Sequence, residues 1–338
     1  MVKVYYDQDA RVEDLAGETV AVIGYGIQGR AQSLNLRDSG VKVIVGNRGD
    51  AYREQAVADG FAVREIGEAA EQGDVIVFLI PDEVQGPVFE QAIRPALRPG
   101  KALVFGHGFA IRYGTVKPPD YVDLLLLAPR LPGKYVRDLF LRGRGVPAYV
   151  DVGHDHTGRA LRRVLALAKA NGFTRAGVMA VTFAEETELD HFSEHFVYPL
   201  IIQALRVSYE VLVEEGYAPE AALMELHGSG ELGEVLLEAG RIGLYNMVDT
   251  LASPACQVGI HFYARRVFPD DARNLIRQII REIKDGSFAR ELLAEQQAQY
   301  PRLRALKDEA RAHALSKVEE QLRELIRFSS SLSLDGRG

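Results

Sequence analysis

The hexapeptide Gly24-Tyr25-Gly26-Ile27-Gln28-Gly29 follows the β-branched run Thr19–Ile23 and opens a helix-like stretch. Glycines at positions one, three and six of such a turn suit a dinucleotide. The first permits the tight turn, the second lets the backbone approach a pyrophosphate, and the third lets the helix pack closely on the strand. The phosphates then face the free N–H groups and the positive end of the helix dipole. The next strand-like run ends in Gly46-Asn47-Arg48-Gly49-Asp50, where a ribose would be read. An acidic residue there favours the free 2′-hydroxyl of NAD, whereas arginine favours the 2′-phosphate of NADP. Arg48 and Asp50 are both present, so NADPH and NADH both stay open.

Other candidates lie where strand-like runs end. Pro81, Asp82 and Gln85 follow one run and His107 sits between two glycines after the next. Arg130 and Lys134 flank prolines after a third. An imidazole between glycines is suited to presentation at a cleft, and the two cations suit an anionic substrate or phosphate. Farther on, Asp190 and Glu194 are four residues apart and share one helix face. Two carboxylates so placed repel unless solvated or bridged by a cation, and hard oxygen donors suit Mg²⁺. Glu225, His227 and Glu231 form a second polar cluster around Gly228 and Gly230. Glycines cost stability in a helix, so this segment reads as a close backbone approach, an irregular site or a surface turn.

These residues need a scaffold at the carboxyl ends of parallel strands. Strands are expected at Thr19–Ile23, Lys42–Gly46, Val75–Leu79, Ala102–Phe105, Asp123–Ala128 and Ala148–Asp151. Helices are expected near Gln28–Ser39, Ala51–Asp59, Ile66–Glu71 and Val84–Ile93. Continuous apolar runs such as VIVFLI and DLLLLA indicate strands covered on both faces. The alternation gives an α/β fold, a Rossmann-like doubly wound parallel sheet over residues 1–182. From about Ala184 the pattern becomes helical, with segments expected at Glu186–Glu215, Ala218–Glu238, Asp270–Asp285 and Ala305–Phe328. That gives an all-α second domain, 183–328, and a flexible tail, 329–338.

Bulk properties narrow the classes. The 338 residues suggest two domains. A net charge of −7, from 40 basic and 47 acidic side chains, argues against a general nucleic-acid binder and against an anionic membrane surface. The single cysteine, Cys256, forms no intrachain disulfide and is expected to be a buried small apolar residue. No signal-peptide h-region and no apolar run of about 18 residues are evident, so a cytoplasmic location is expected.

The ordered set VYYDQDA, VIGYGIQGRAQSLNLRDSG, LIPDEVQ, GHGF, AP-x-x-PG, GFTRAGV and TFAEETELDHFSEH, closing with FARELLAEQQAQYPRLRAL, resembles the ketol-acid reductoisomerases, in their short class. The resemblance covers nearly the whole chain. It implies a Rossmann domain followed by a knotted helical domain, an intertwined dimer or higher homo-oligomer, NADPH or NADH, and two Mg²⁺ ions. The implied reaction is an alkyl shift in a 2-hydroxy-2-alkyl-3-oxo acid of the 2-acetolactate type. Hydride transfer then gives a 2,3-dihydroxy acid for branched-chain amino-acid synthesis. Carried over, Gly24, Gly26 and Gly29 hold the cofactor, His107 is the active-site histidine, and Asp190, Glu194 and Glu225 are metal carboxylates.

Three departures stand out. The family's lysine in AP-Lys-x-PG is Arg130 here, with Lys134 as a possible compensating cation. The fourth carboxylate, four residues after the third, is replaced by Ser229, with Glu231 two residues on. The substrate-carboxylate serine has only Ser253 as a candidate. Besides the ordinary reaction, two alternatives stay open: reduction of a different keto acid, with or without the alkyl shift, and a non-catalytic dinucleotide-binding protein.

Overall fold

In a computed structural model, which describes residues 2–268 and 271–325, the chain divides into two units. The first ends at Asp190 and the second begins at His191.

The first unit runs Val4–Tyr5 (β1), Thr19–Ile23 (β2), Ile27–Asp38 (α1), Lys42–Gly46 (β3), Ala51–Ala58 (α2), Ala62–Arg64 (β4), Ile66–Gln72 (α3) and Val75–Phe78 (β5). It continues with Asp82–Val88 (α4), Ala102–Phe105 (β6), Phe109–Arg112 (α5), Asp123–Pro129 (β7), Gly133–Leu141 (α6), Ala148–His154 (β8), Ala160–Ala170 (α7) and Val178–Ala180 (β9). Helix α8, Phe183–Phe192, spans the boundary. The nine strands form one sheet in the order β1-β9-β8-β7-β6-β5-β2-β3-β4. From β4 to β7 every pairing is parallel. The order reverses between β2 and β5, the switch point of a doubly wound sheet.

The sheet departs from the all-parallel expectation. β8 runs antiparallel to β7, and β1 antiparallel to β9. The short connection from β7 through α6 returns the chain beside β7 in the opposite sense. β1, β4 and β9, two or three residues each, have no periodicity long enough to register in sequence.

Alternate residues of the strands enter two separate cores. Val20, Val22, Val75 and Val77 face one side, and Ala21, Ile23, Ile76 and Phe78 the other. Both faces are covered, which is why these strands are apolar throughout. Phe183, the first residue of α8, lies in the second core, edge-on to Phe105 with ring centroids 6.3 Å apart. The sequence boundary at 182/183 coincides with the start of α8, whereas the first unit runs on to Asp190.

The second unit is helical: Tyr198–Glu214 (α9), Pro219–Leu223 (α10), Glu231–Ile242 (α11), Leu244–Leu251 (α12), Pro254–Val267 (α13), Ala272–Lys284 (α14), Ser287–Gln297 (α15), Pro301–Ala312 (α16) and Ala314–Leu325 (α17). A π turn, Ser193–Val197, joins α8 to α9. Tyr209, Ala222, Leu223 and Leu322 pack α9, α10 and α17 together.

The single helix expected over Ala218–Glu238 is broken. After α10 a π turn, Met224–Gly228, leads to Gly230 at φ +84° before α11 starts. A Cβ at Gly228 would stand 2.6 Å from Leu322 Cδ2, so glycine there makes room for the Leu322 side chain of α17. The helix expected over Ala305–Phe328 divides at His313. The tail 329–338 lies outside the described residues. Cys256 is exposed, contrary to the buried position expected of it.

Contrary to the sequence reading, one described helix, Phe183–Glu214, is long and apolar enough to cross a membrane by length and composition. Its most apolar window has a mean hydropathy of 1.4. Only 6% of that window is buried, which leaves Leu200, Ile202, Val207 and Val211 exposed on α9.

Candidate active site

Register places the candidate residues along one edge of the sheet. Ile23 pairs with Gly46 and with Phe78, Phe78 with Phe105, and Phe105 with Leu126. The loops after β2, β3, β5 and β6 therefore leave the sheet at the same level, and β7 continues beyond it to Pro129.

The glycine loop has the geometry its spacing requires. Gly24 sits at φ +95°, and a Cβ there would lie 2.6 Å from the Leu79 carbonyl oxygen. Gly26 begins α1 and has open space around its Cβ position. A Cβ at Gly29 would collide with the Gly24 carbonyl. The open middle glycine at a helix N-terminus is the cradle a pyrophosphate fills. The loop's side chains do other work. The Tyr25 ring is buried against Phe61 and its phenol donates to Asp59 at 2.8 Å. Burial and Asp59 together push that phenol far above the usual tyrosine range. Gln28 Nε2 donates to the Leu131 carbonyl, tying α1 to the loop after β7. Tyr25 and Gln28 thus shape the loop, while Ile27 is exposed at the start of α1.

Asp50 caps α2. It accepts N–H bonds from Tyr52 and Arg53 at 3.0 and 3.1 Å, and its other oxygen accepts Arg48 Nε at 2.8 Å. The Arg48 hydrogen bond, opposed by burial and joined by the Arg53 N–H and the Asn47 side chain, holds the carboxyl below its ordinary range. Arg48 itself is 83% exposed at the strand end. Lys134, on α6, lines a groove of 530 Å³ with Gly26, Ile27 and Tyr52, beside the start of α1.

The second half of the edge is ionic. His107 Nδ1 lies 2.8 Å from Asp82 Oδ2, and its Nε2 lies 3.6 Å from Asp190 and 3.9 Å from Glu186. Gln85 is buried and donates to the Ile80 carbonyl and Asp82 Oδ1. Gln85 thus contacts Asp82, and Asp82 contacts the histidine. Pro81 precedes α4 and is exposed. Burial pulls the His107 imidazolium down, but the Asp82 hydrogen bond and the charges of Asp82, Glu186 and Asp190 outweigh it. The net pKa is about 9.

Glu186 is fully buried, accepts the Gly108 N–H at 2.8 Å and accepts Arg130 Nη1 at 3.0 Å. Burial pushes its carboxyl up, against the opposing effects of His107, the Gly108 N–H and Arg130. Arg130 Nη2 also donates to Asp190, and its guanidinium carbon lies 5.0 Å from the Tyr149 ring centroid. Burial opposes the guanidinium charge, but Asp190 and Glu186 secure it. Helix α8 is held by Asp151, which accepts the Phe183 N–H at 2.9 Å, and by a reciprocal Thr182–Glu185 box.

Among the described residues, His107, Glu186 and Asp190 place one ligand atom each within 4.8 Å of one another. Two carboxylates and an imidazole fit a divalent cation, and the Arg130 guanidinium already stands in as a cation between the carboxylates. Glu186 escaped the sequence reading, although it lies one helical turn before Asp190, which is a usable signal. Among the other metal candidates, Glu194 is exposed in the π turn after α8. Glu225 and Glu231 are exposed and lie on opposite sides of the Gly230 break. The Ser253 hydroxyl, the substrate candidate, caps α13 by accepting the Cys256 N–H at 3.3 Å.

A Rossmann sheet with this glycine loop, and an ionic cluster on the same edge, defines a nicotinamide-dependent oxidoreductase. Residues 14–177 match the family model "Acetohydroxy acid isomeroreductase, NADPH-binding domain", and 183–328 match "Ketol-acid reductoisomerase, C-terminal domain". The chain is 44% identical over 328 residues to the ketol-acid reductoisomerase (NADP(+)) of Pyrobaculum aerophilum, covering 96% of this chain and 99% of that one. It is 44% identical to the Methanopyrus kandleri protein of the same name, covering 97% and 99%. A solved NADH-preferring ketol-acid reductoisomerase from an uncultured archaeon superposes with a TM-score of 0.90 at 35% identity, covering 96% and 99%. The chain belongs to the ketol-acid reductoisomerase family.

Proposed function

We propose that this protein converts a 2-hydroxy-2-alkyl-3-oxo acid of the 2-acetolactate type to a 2,3-dihydroxy acid by Mg²⁺-dependent alkyl migration and reduction by NADPH. The observation that carries the reading is the ionic cluster His107–Glu186–Asp190 on the same strand edge as the open Gly26 turn. That arrangement serves a hydride donor and a chelated keto acid together.

When bound, a divalent cation polarises hydroxyl and carbonyl oxygens, and the nicotinamide supplies hydride. Asp190 and Glu186 would hold the cation, and Glu194, Glu225 and Glu231 are proposed to complete its carboxylate set. Ser253 is proposed at the substrate carboxylate. His107, braced by Asp82, presents Nε2 toward the carboxylates, where it can hold or pass a proton. Arg130 supplies fixed positive charge without surrendering a proton. The Gly24–Gly29 turn and Lys134 would bind cofactor phosphates, with Arg48 at the ribose. The exposed apolar face of α9 is proposed to be covered by a second copy of the chain, in an intertwined homo-oligomer. A cytoplasmic location is part of the same proposal.

Arg130 favours a second reading. A guanidinium in place of an ammonium changes any proton transfer at that point, which suits reduction without the alkyl shift. NMR of the product from 2-acetolactate separates the two. Geminal methyl groups on one carbon establish the shift, and the unrearranged isomer establishes simple reduction.

A further inference from the structure

Arg130 is bound to both carboxylates that would receive a cation. Its Nη1 donates to Glu186 Oε1 at 3.0 Å and its Nη2 donates to Asp190 Oδ1. Glu186 is fully buried and also fixed by the Gly108 N–H, so it cannot turn away. Asp190 is partly exposed, and its second oxygen faces His107 Nε2 at 3.6 Å. Arginine cannot vacate such a position by losing its proton, so it can leave only by moving. The Tyr149 ring already underlies the guanidinium at 5.0 Å and offers a resting surface that does not require Asp190.

We propose that Arg130 is a tethered cation that competes with divalent metal for Asp190, so that metal binding requires the guanidinium to release Asp190 while keeping Glu186. The proposal rests on the metal reading given above. A charge-assisted hydrogen bond that must break first lowers metal affinity by about ten- to a hundredfold.

The test uses Mn²⁺ alone as probe, with free Mn²⁺ counted by electron paramagnetic resonance in the full-length protein without substrate. Arg130→Gln removes the competing charge, and Arg130→Lys keeps a charge on a narrower, more mobile group. The expected result is Mn²⁺ binding about ten- to a hundredfold tighter in Arg130→Gln than in the parent, with Arg130→Lys between them. Asp190→Asn abolishes the site in every background. Circular dichroism and thermal unfolding establish that each variant is folded, and Arg130→Lys carries the comparison if Arg130→Gln is not. If the parent binds Mn²⁺ through Asp190 and neither Arg130 variant binds it more tightly, the competition is overturned while the metal reading stands. If no protein binds Mn²⁺, the metal reading falls and the competition with it.

Discussion

Gly108 donates its backbone N–H to Glu186 Oε2 at 2.8 Å, and a Cβ at Gly108 would stand 2.6 Å from the Phe183 carbonyl oxygen. The loop after β6 and the helix α8 therefore touch backbone to backbone. This contact sets the spacing between His107 and the carboxylates.

Gly108→Ala is predicted to push α8 away from the loop. A displacement on the order of 1 Å in such a site costs about a hundredfold in rate. Steady-state kinetics of a folded Gly108→Ala protein should show that loss in kcat, with reduced-cofactor affinity unchanged because the glycine turn is untouched.

Asp151 holds the start of α8 by accepting the Phe183 N–H. Loss of a capping acceptor costs about 1 kcal/mol, so Asp151→Ala should lower unfolding free energy by about that amount in urea titrations. Asp151→Asn keeps an acceptor and should recover most of it. An Asp151→Ala protein as stable as the parent would show that the Thr182–Glu185 box suffices.

His107 should titrate at about 9 in metal-free protein. Burial lowers its pKa, and the Asp82 hydrogen bond with the surrounding carboxylates raises it further than burial lowers it. The folded value exceeds the ordinary 6.5. The stabilisation is therefore complete below about pH 6.5 and is lost as pH rises through about 9. NMR of the imidazole checks the midpoint, and Asp82→Asn should shift it down.

Arg48 is an exposed cation just after β3, where the ribose is proposed to lie, while Asp50 is engaged in capping α2. Arg48→Ala should weaken NADPH by about tenfold, the loss of one charge-assisted contact, and leave NADH nearly unchanged. Equal weakening of both, measured by fluorescence titration, would place Arg48 on the adenine or outside the site.

Sequence revealed what local pattern encodes. The glycine turn, the ends of β2, β3 and β6, His107 and Asp190 all follow from short motifs and periodicity. Contacts between distant segments escaped. Glu186 lies one helical turn before Asp190, but its partners, the Gly108 N–H and Arg130, come from distant segments, while its neighbour Glu185 caps its own helix. The position of Arg130 was visible as a basic loop, but its carboxylate partners are 56 and 60 residues away. Tyr25, Asp82 and Gln85 sit in motifs that suggest a ligand. The hydrogen bonds of Tyr25 with Asp59 and of Asp82 with His107 join segments that no local pattern connects, and Gln85 bonds the nearby Ile80 carbonyl. The break at Gly230 was foreshadowed by its two glycines, whose cost in a helix needed a reason.

The central claim is that reduction by NAD(P)H on this scaffold depends on a cation held by the Asp190 carboxylate. The direct measurement is loss of reduced-nicotinamide absorbance by the purified protein with 2-acetolactate, with Mg²⁺ and after its removal by chelator. Turnover that requires Mg²⁺ and is abolished in Asp190→Asn is the predicted result. Turnover that survives metal removal, or no turnover while cofactor still binds, would contradict it.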